Sequence, residues 1–238
     1  EIILQASKQK FPTRRDFEIF RNKVVKENHG VIFHNLYLIR AYNDLIKEGE
    51  IKQNENLKKL IQKRAVRTMS GVATVNVMTK PFPFPGKCVY CPSDVRMPKI
   101  YLPSQPAAQR AFRQRFNPYT QVFVRLLALQ NTGHEVSKVE LRVIGGTWSS
   151  YPKRYQKWFI KQCLLAMNEF YNQIGKGRGD EIAKLVQENE VKSPYGVDKV
   201  NIVILKPLKG GESFVKVVKE NETALVRCIG INVETRPD

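Results

Sequence analysis

Cys88 and Cys91 stand three positions apart in the run KPFPFPGKCVYCP, residues 80–92, and this C-x2-C spacing lets a tightly turned loop present two thiolates to one inorganic core. Two thiolates are a ligand pair rather than a complete site. A 4Fe-4S cluster that chelates S-adenosylmethionine at an open fourth iron takes three cysteines, spaced C-x3-C-x2-C. The x2 half is present, but the position four residues before Cys88 is Phe84, which cannot ligate iron. Pro81, Pro83 and Pro85 stiffen the approach, and Gly86 permits a backbone conformation closed to other residues. Zinc is the alternative core, and a structural zinc needs four ligands. His29, His34 and His134 are scattered, while Cys163 falls in a helical pattern and Cys228 opens an apolar strand, so both read as core. An iron–sulfur loop, a zinc half-site and a pair of ordinary thiols all stay open on these residues alone.

Two further constellations follow strand-like runs. Gly145, Gly146 and Thr147 come directly after the alternating stretch 138–144, and a glycine pair there lets backbone approach a ligand closely. The apolar run 228–233 ends in Glu234, Thr235, Arg236, Pro237 and Asp238. Charges clustered at the end of a buried strand are costly unless they meet a ligand or each other. Glu234 suits an amine or ribose hydroxyls, and Arg236 a carboxylate or phosphate in a bidentate fork. The GKGRG run at 175–179 lacks the G-x4-G-K-[ST] pattern of a phosphate loop and follows a helix, so it reads as a flexible basic loop.

The elements that carry these residues divide the chain. Residues 1–68 are helical and charged, with Phe17, Phe20 and Val24 on one amphipathic face and Phe33, Leu36, Leu38, Ile39 and Leu45 on a second. From Gly71 strands alternate with helices, which predicts an α/β fold with a mostly parallel sheet and crossover helices. The first strand is 72–78, and the cysteine loop leaves its C-terminal end, where ligand-binding loops of parallel folds sit. A helix is expected over 119–130, stopped by Gly133, and a long one over 151–173, with Trp158, Phe159, Leu164, Leu165, Met167 and Phe170 mostly in the core. A looser insertion occupies about 175–211, with a possible strand at 200–205, and 214–224 reads as a helix feeding the last strand.

Charge defines the partner. The chain has 40 Lys and Arg against 22 Asp and Glu, a formal charge of +18 in 238 residues, which points to a polyanion. Lys8, Lys10, Arg14, Arg15, Arg21, Lys23 and Lys26 face only Asp16 and Glu18 over 8–26, and Lys58, Lys59, Lys63, Arg64 and Arg67 meet no acid over 57–67. In the second stretch Leu57, Leu60 and Ile61 form one apolar stripe, leaving a basic helix without the broad apolar face and aromatic anchors of a membrane-surface helix. Nucleic acid is the expected partner of Lys8, Lys10, Arg14, Arg15, Lys58, Lys59, Lys63, Arg64 and Arg67. No apolar run reaches the roughly 18–20 residues of a membrane span, and four cysteines make no disulfide framework. A reducing, cytoplasmic setting is expected.

In this order the segments SGVATVNVMTKP (70–81), GKCVYCP (86–92), AAQRAFRQRFNPYTQ (107–121), GGT (145–147) and NETALVRCIGINVETRPD (221–238) resemble the catalytic subunit of Elongator. That family comprises the tRNA carboxymethyluridine synthases, and the likeness is to its short-loop bacterial-type members over about 68–174 and 214–238. The resemblance implies a partial radical-SAM-type (β/α) barrel over 69–238, preceded by a basic helical tRNA-binding region over 1–68. It assigns Cys88 and Cys91 to a 4Fe-4S cluster, with Phe84 in the third ligand's place. Gly145 and Gly146 become the loop lining the S-adenosylmethionine pocket, and Glu234 and Arg236 pocket residues. In the family a deoxyadenosyl radical acts on an acetyl group that is added to carbon 5 of the wobble uridine, and acetyl-CoA binds a C-terminal acetyltransferase domain expected to be absent from a chain ending at Asp238. The expected outcome is a chain that binds tRNA, with other subunits or a second copy as partners and no membrane, and whose cluster assembly is impaired. A non-catalytic RNA-binding relative is the alternative, and a radical enzyme acting on a small molecule a third reading.

Overall fold

A computed structural model of the chain describes residues 1–28, 35–62, 68–83, 86, 90–184 and 202–235. The chain separates into two units, Glu1–Ser70 with Leu129–Glu135 and Gly71–Ala128 with Val136–Asp238.

The first unit is helical: α1 (Ile2–Ser7), α2 (Arg14–Glu27), α3 (Asn35–Lys47) and α4 (Glu55–Ile61). Local chemistry sets the starts of two of them. Thr13 and Asp16 exchange side-chain and backbone bonds in a capping box ahead of α2, and the Asn54 side chain accepts from Leu57 N–H at 3.0 Å ahead of α4. The core joins Ile3, Phe11, Phe17, Ile39, Tyr42 and Leu57 with their neighbours. Phe17, Val24, Leu38 and Ile39 are buried as the periodicity requires, Phe20 and Leu45 pack against the core, and Phe33 lies outside the described residues. Leu57, Leu60 and Ile61 form the buried stripe of α4, which ends at Ile61. Residues 129–135 complete this unit: the buried His134 meets the Gln62 side-chain amide at 3.0 Å and the Thr68 hydroxyl at 2.8 Å through Nδ1.

The second unit is α/β. Strands β1 (Ala73–Met78), β2 (Lys138–Ile144) and β3 (Arg227–Val233) form a parallel sheet in the order β1-β2-β3, with Val75 beside Leu141 and Leu141 beside Ile231. Helices α5 (Pro106–Arg113), α6 (Pro118–Gln130), α7 (Lys153–Asn168), α8 (Phe170–Gly175), α9 (178–184) and α10 (Phe214–Asn221) fill the crossovers that parallel neighbours require. Ala73, Val75, Val77, Val139, Leu141 and Val143 are buried on the sheet's covered face. The edge strand β1 is finished by a side chain: Gln121 of α6 accepts from Met78 N–H at 2.7 Å and donates to Met78 C=O at 2.9 Å. An amide so placed substitutes for a missing neighbouring strand.

Five expectations change here. The helix over 151–173 breaks at Glu169, whose buried carboxylate accepts from Tyr119 O–H at 2.8 Å, Leu208 N–H at 2.7 Å and Lys209 N–H at 2.8 Å. Trp158 on α7 is exposed rather than in the core. Residues 202–205 form no strand; Val203 N–H instead bonds Arg113 C=O at 3.2 Å, and Leu205 N–H bonds the Thr120 hydroxyl at 2.9 Å. The GKGRG run is a turn with φ +74° at Gly177 that leads into α9, rather than a loop throughout. Strand β3 is also not the buried strand its composition suggested. It is the sheet's edge, with Ile229, Ile231 and Val233 exposed and Cys228 half-buried. Among the described residues no helix is long and apolar enough to cross a membrane.

Candidate functional site

The C-terminal ends of the three strands converge. Thr79 N–H extends the β1–β2 ladder to Ile144 C=O at 2.9 Å, and Glu234 N–H extends the β2–β3 ladder to Val143 C=O at 2.9 Å. Between them the chain turns sharply through Gly145 at φ +126° and Gly146 at φ +98°, a region that residues with a Cβ rarely adopt. A methyl group on Gly145 would collide with the Thr79 hydroxyl, whereas one on Gly146 would meet nothing. The turn directs two N–H groups at one carboxylate oxygen: Glu234 Oε2 accepts from Gly145 at 2.9 Å and from Gly146 at 3.2 Å.

Tyr101 completes the cluster from the segment after the cysteine loop. Its hydroxyl lies 2.8 Å from both carboxylate oxygens of Glu234. Charge-assisted bonds of this kind are short and strong. Burial, the hydrogen bond and the carboxylate's charge together push the Tyr101 phenol well above its usual pKa. The backbone carbonyl of Glu234 also accepts from Trp148 N–H at 2.9 Å, so one residue ties β3 to both loops. Ile100, just before Tyr101, sits at φ +77°. A β-branched residue there is strained backbone.

Aromatic rings back this cluster. Tyr151 donates to Lys80 C=O at 2.8 Å and lies 2.8 Å from the Thr79 hydroxyl, and Tyr155 accepts from Lys80 N–H at 3.2 Å. The Tyr151 and Tyr155 rings stack with centroids 5.1 Å apart, Phe82 packs on Tyr151 at 4.9 Å, and Lys80 Nζ lies 5.3 Å from the Tyr155 centroid. Burial raises the pKa of both phenols.

The cysteine loop is described in part. Cys91 is half-buried, while Phe84, Cys88 and Arg236 lie outside the described residues. Beyond Cys91 the Asp94 carboxylate is chelated by Arg96, which holds its carboxyl below the usual range, and Lys99 bonds Ser93. A cavity of about 340 Å³ lies among Pro81, Phe82, Pro83, Ser93, Asp94, Val95, Met97 and Lys99. The cleft between Phe82, Lys99 and the glycine loop is far smaller, about 10 Å³. Burial pushes the Cys163 thiol well up and also raises Cys228. Among the described residues no three His, Cys, Asp or Glu side chains are grouped to hold a metal.

Lys8, Lys10, Arg14, Arg15 and Lys59 are exposed on the helical unit, and Lys58 is half-buried. Arg14 is partly engaged, with Glu18 at 3.3 Å and Gln62 C=O at 3.4 Å. Lys63, Arg64 and Arg67 lie outside the described residues.

No protein-family model matches the chain. Curated relatives do. The tRNA uridine(34) acetyltransferase of Dehalococcoides mccartyi (strain CBDB1) is 37% identical over 176 residues, covering 74% of this chain and 30% of that protein. The protein of the same name from Methanocaldococcus infernus is 33% identical over 202 residues, and Elongator complex protein 3 of Dictyostelium discoideum 31% over 206, each covering 82% of this chain and 30% of the relative. The chain belongs to this family. It spans about 30% of the length of these family members. Among solved structures, the archaeal Methanocaldococcus infernus Elp3 with an N-terminal deletion is 28% identical, with a TM-score of 0.41 over 71% of this chain and 24% of that one.

Within the family frame, the fold brings Gly145, Gly146 and Glu234 into direct contact. Tyr101, Tyr151 and Tyr155 were missed by sequence reasoning. Tyr101 has no motif spacing, Tyr151 and Tyr155 share the helical aromatic spacing of Trp158 and Phe159 that reads as core, and only the arrangement of the strand ends gives them Glu234, Thr79 and Lys80 as partners.

Proposed function

We propose that the chain is the tRNA-binding and scaffold portion of a carboxymethyl-type wobble-uridine-modifying protein. Its 31–37% identity to relatives named for uridine-34 modification or as Elongator protein 3 carries this reading. In it, the parallel sheet is part of a radical-SAM-type (β/α) barrel. The exposed cations at Lys8, Lys10, Arg14, Arg15 and Lys59, with Lys58, Lys63, Arg64 and Arg67, take tRNA phosphates. Gly145, Gly146 and Glu234 form the floor of a cofactor pocket that Arg236 borders. Other subunits or a second copy, and a cytoplasmic setting, belong to the same proposal.

The residues present do not fit the family's cofactors as they stand. A cluster with an open iron takes three thiolates, and this chain offers Cys88 and Cys91 with Phe84 at the third position. The N–H groups of the glycine loop are already taken by Glu234. No radical step is assigned to this chain, and acetyl-CoA belongs to the activity of the whole family protein. Phe84 favours the second reading, a non-catalytic RNA-binding relative that kept the scaffold.

Binding of the intact chain to a transcribed tRNA, followed by anisotropy, tests the proposal. Contact with six to ten phosphates predicts an affinity that falls by about 10³ to 10⁵ between 50 and 200 mM salt. Affinity no better than that of a neutral control protein at moderate salt overturns it. Anaerobic reconstitution with iron counting separates the two readings. A gain of iron in Phe84→Cys over the parent places residue 84 at the cluster, and no gain removes it from there.

A further inference from the structure

We infer that the exposed face of the first two turns of α7 is an RNA-binding surface for an unpaired nucleotide, with Trp158 stacking on the base and Lys153, Arg154 and Lys157 on the flanking phosphates. This rests on the tRNA-binding function proposed above and assigns part of it to the sheet-containing unit.

Lys153, Arg154, Lys157 and Trp158 are all exposed, and at about 100° per residue they fall within about 140° of one another around the helix axis. Trp158 is 42% exposed although it is a large aromatic residue. Its indole leans on Tyr155, with centroids 5.6 Å apart and planes 37° apart, and meets Phe159 edge-on at 6.4 Å. The ring is thereby braced by protein on part of its surface and open on the rest, which is the form of a stacking platform. Among the described residues no carboxylate pairs with Lys153, Arg154 or Lys157; Lys157 Nζ lies 5.6 Å from the Phe214 ring centroid.

The backbone adds to this charge. Helix α7 starts after Pro152 with no side-chain cap and no acid in its first turn, unlike α2, where Asp16 fills that role. Its positive dipole end therefore coincides with Lys153 and Arg154, an unfavourable superposition that a bound phosphate relieves. The opposite face of α7 is committed to the core through Phe159, Cys163 and Met167, so the helix cannot lay an apolar face into a lipid surface.

Position gives the surface its use. Tyr155, on which Trp158 leans, bonds Lys80 N–H and stacks on Tyr151, which meets the Thr79 hydroxyl beside the glycine loop. A nucleotide held by Trp158 thus sits on the same aromatic ladder that backs the candidate site. An exposed ring with unpaired cations around it suits a splayed base in single-stranded RNA better than a duplex, whose bases offer no open face.

The test uses the intact chain with three probes: a short oligouridylate, a heparin fragment as a polyanion without bases, and a polyglutamate peptide. Trp158→Ala should weaken oligouridylate binding about 5- to 150-fold and leave heparin binding unchanged, and Trp158→Tyr should retain most of the parent affinity. Replacing Lys153, Arg154 and Lys157 together by Gln should reduce the salt slope of oligouridylate binding by about 2. The proposal is overturned if Trp158→Ala binds oligouridylate like the parent, if it loses heparin equally, or if polyglutamate binds and oligouridylate does not. Full tRNA affinity in all three variants removes this surface and leaves the tRNA function standing. Failure of the parent chain to bind tRNA removes both. Melting temperatures equal to the parent's establish that the variants are folded.

Discussion

The hydroxyl of Tyr101 lies 2.8 Å from both carboxylate oxygens of Glu234, across 133 positions of sequence. Glu234 is the first residue beyond β3, and Tyr101 follows the cysteine loop, so this contact joins the two loops that flank the glycine turn. With the Gly145 and Gly146 N–H groups the carboxylate collects three donors. Removing one should be felt in the whole cluster. Tyr101→Phe keeps the ring and deletes only the donor, and for a half-exposed carboxylate it should cost about 1–2 kcal/mol. Urea unfolding of the variant and the parent measures it; an unchanged midpoint would falsify the claim that Tyr101 anchors Glu234.

The buried phenols make the fold sensitive to alkali. Tyr101, Tyr119, Tyr151 and Tyr155 all have pKa values raised chiefly by burial. An unfolded tyrosine ionises near pH 10, so above about pH 10 the unfolded chain binds fewer protons than the folded one and stability falls as pH rises. Below that pH the contribution is complete. Tyr119 is fully buried, and Tyr119→Phe should reduce the steepness of the fall by up to about 1.4 kcal/mol per pH unit. Thermal unfolding from about pH 8 to 11 in both proteins gives the comparison, and parallel curves count against it.

The two glycines of the turn should not tolerate alanine equally. Both hold positive φ, +126° at Gly145 and +98° at Gly146, and the backbone strain of a Cβ in such regions is about 1–3 kcal/mol. Only at Gly145 does the added methyl also strike Thr79. Gly145→Ala is therefore expected to lower the melting temperature more than Gly146→Ala. Equal losses would mean that the Thr79 contact does not restrain the turn.

Glu169 should control the order of residues 202–209. It is 3% exposed, and its carboxylate supplies the acceptors for Leu208 and Lys209 N–H. Glu169→Gln replaces one of its two acceptor oxygens by a donor and should cost about 1–3 kcal/mol. Hydrogen exchange is the sharper readout: Leu208 and Lys209 amides should exchange faster while β1 and β2 keep their protection.

Much of the secondary structure was legible because it depends on local alternation. The run 138–144 has the bounds of β2, 72–78 contains β1, and 214–224 contains α10. The errors share one cause. Helical periodicity runs through 151–173, but Glu169 is drawn out of register by donors from Tyr119, Leu208 and Lys209, none of which neighbours it in sequence. Residues 202–205 look like a strand because they are an apolar run, yet the N–H groups of the buried Val203 and Leu205 bond Arg113 and Thr120 rather than a sheet. Strand β3 looks like a buried strand because it is apolar, and its burial depends on what lies beside it.

From the sequence by itself came the α/β class, the strands whose ends carry Gly145, Gly146 and Glu234, the excess of cations, and the absence of a third cysteine at Phe84. Those properties reside in residue type and short-range spacing. Only the tertiary structure decided that Glu234 satisfies the glycine loop, that Tyr101 locks it, that Gln121 closes the edge of β1, and that Trp158 faces outward. Hydrogen bonds and ring contacts between residues tens of positions apart depend on where the backbone places them, and no local pattern encodes that distance.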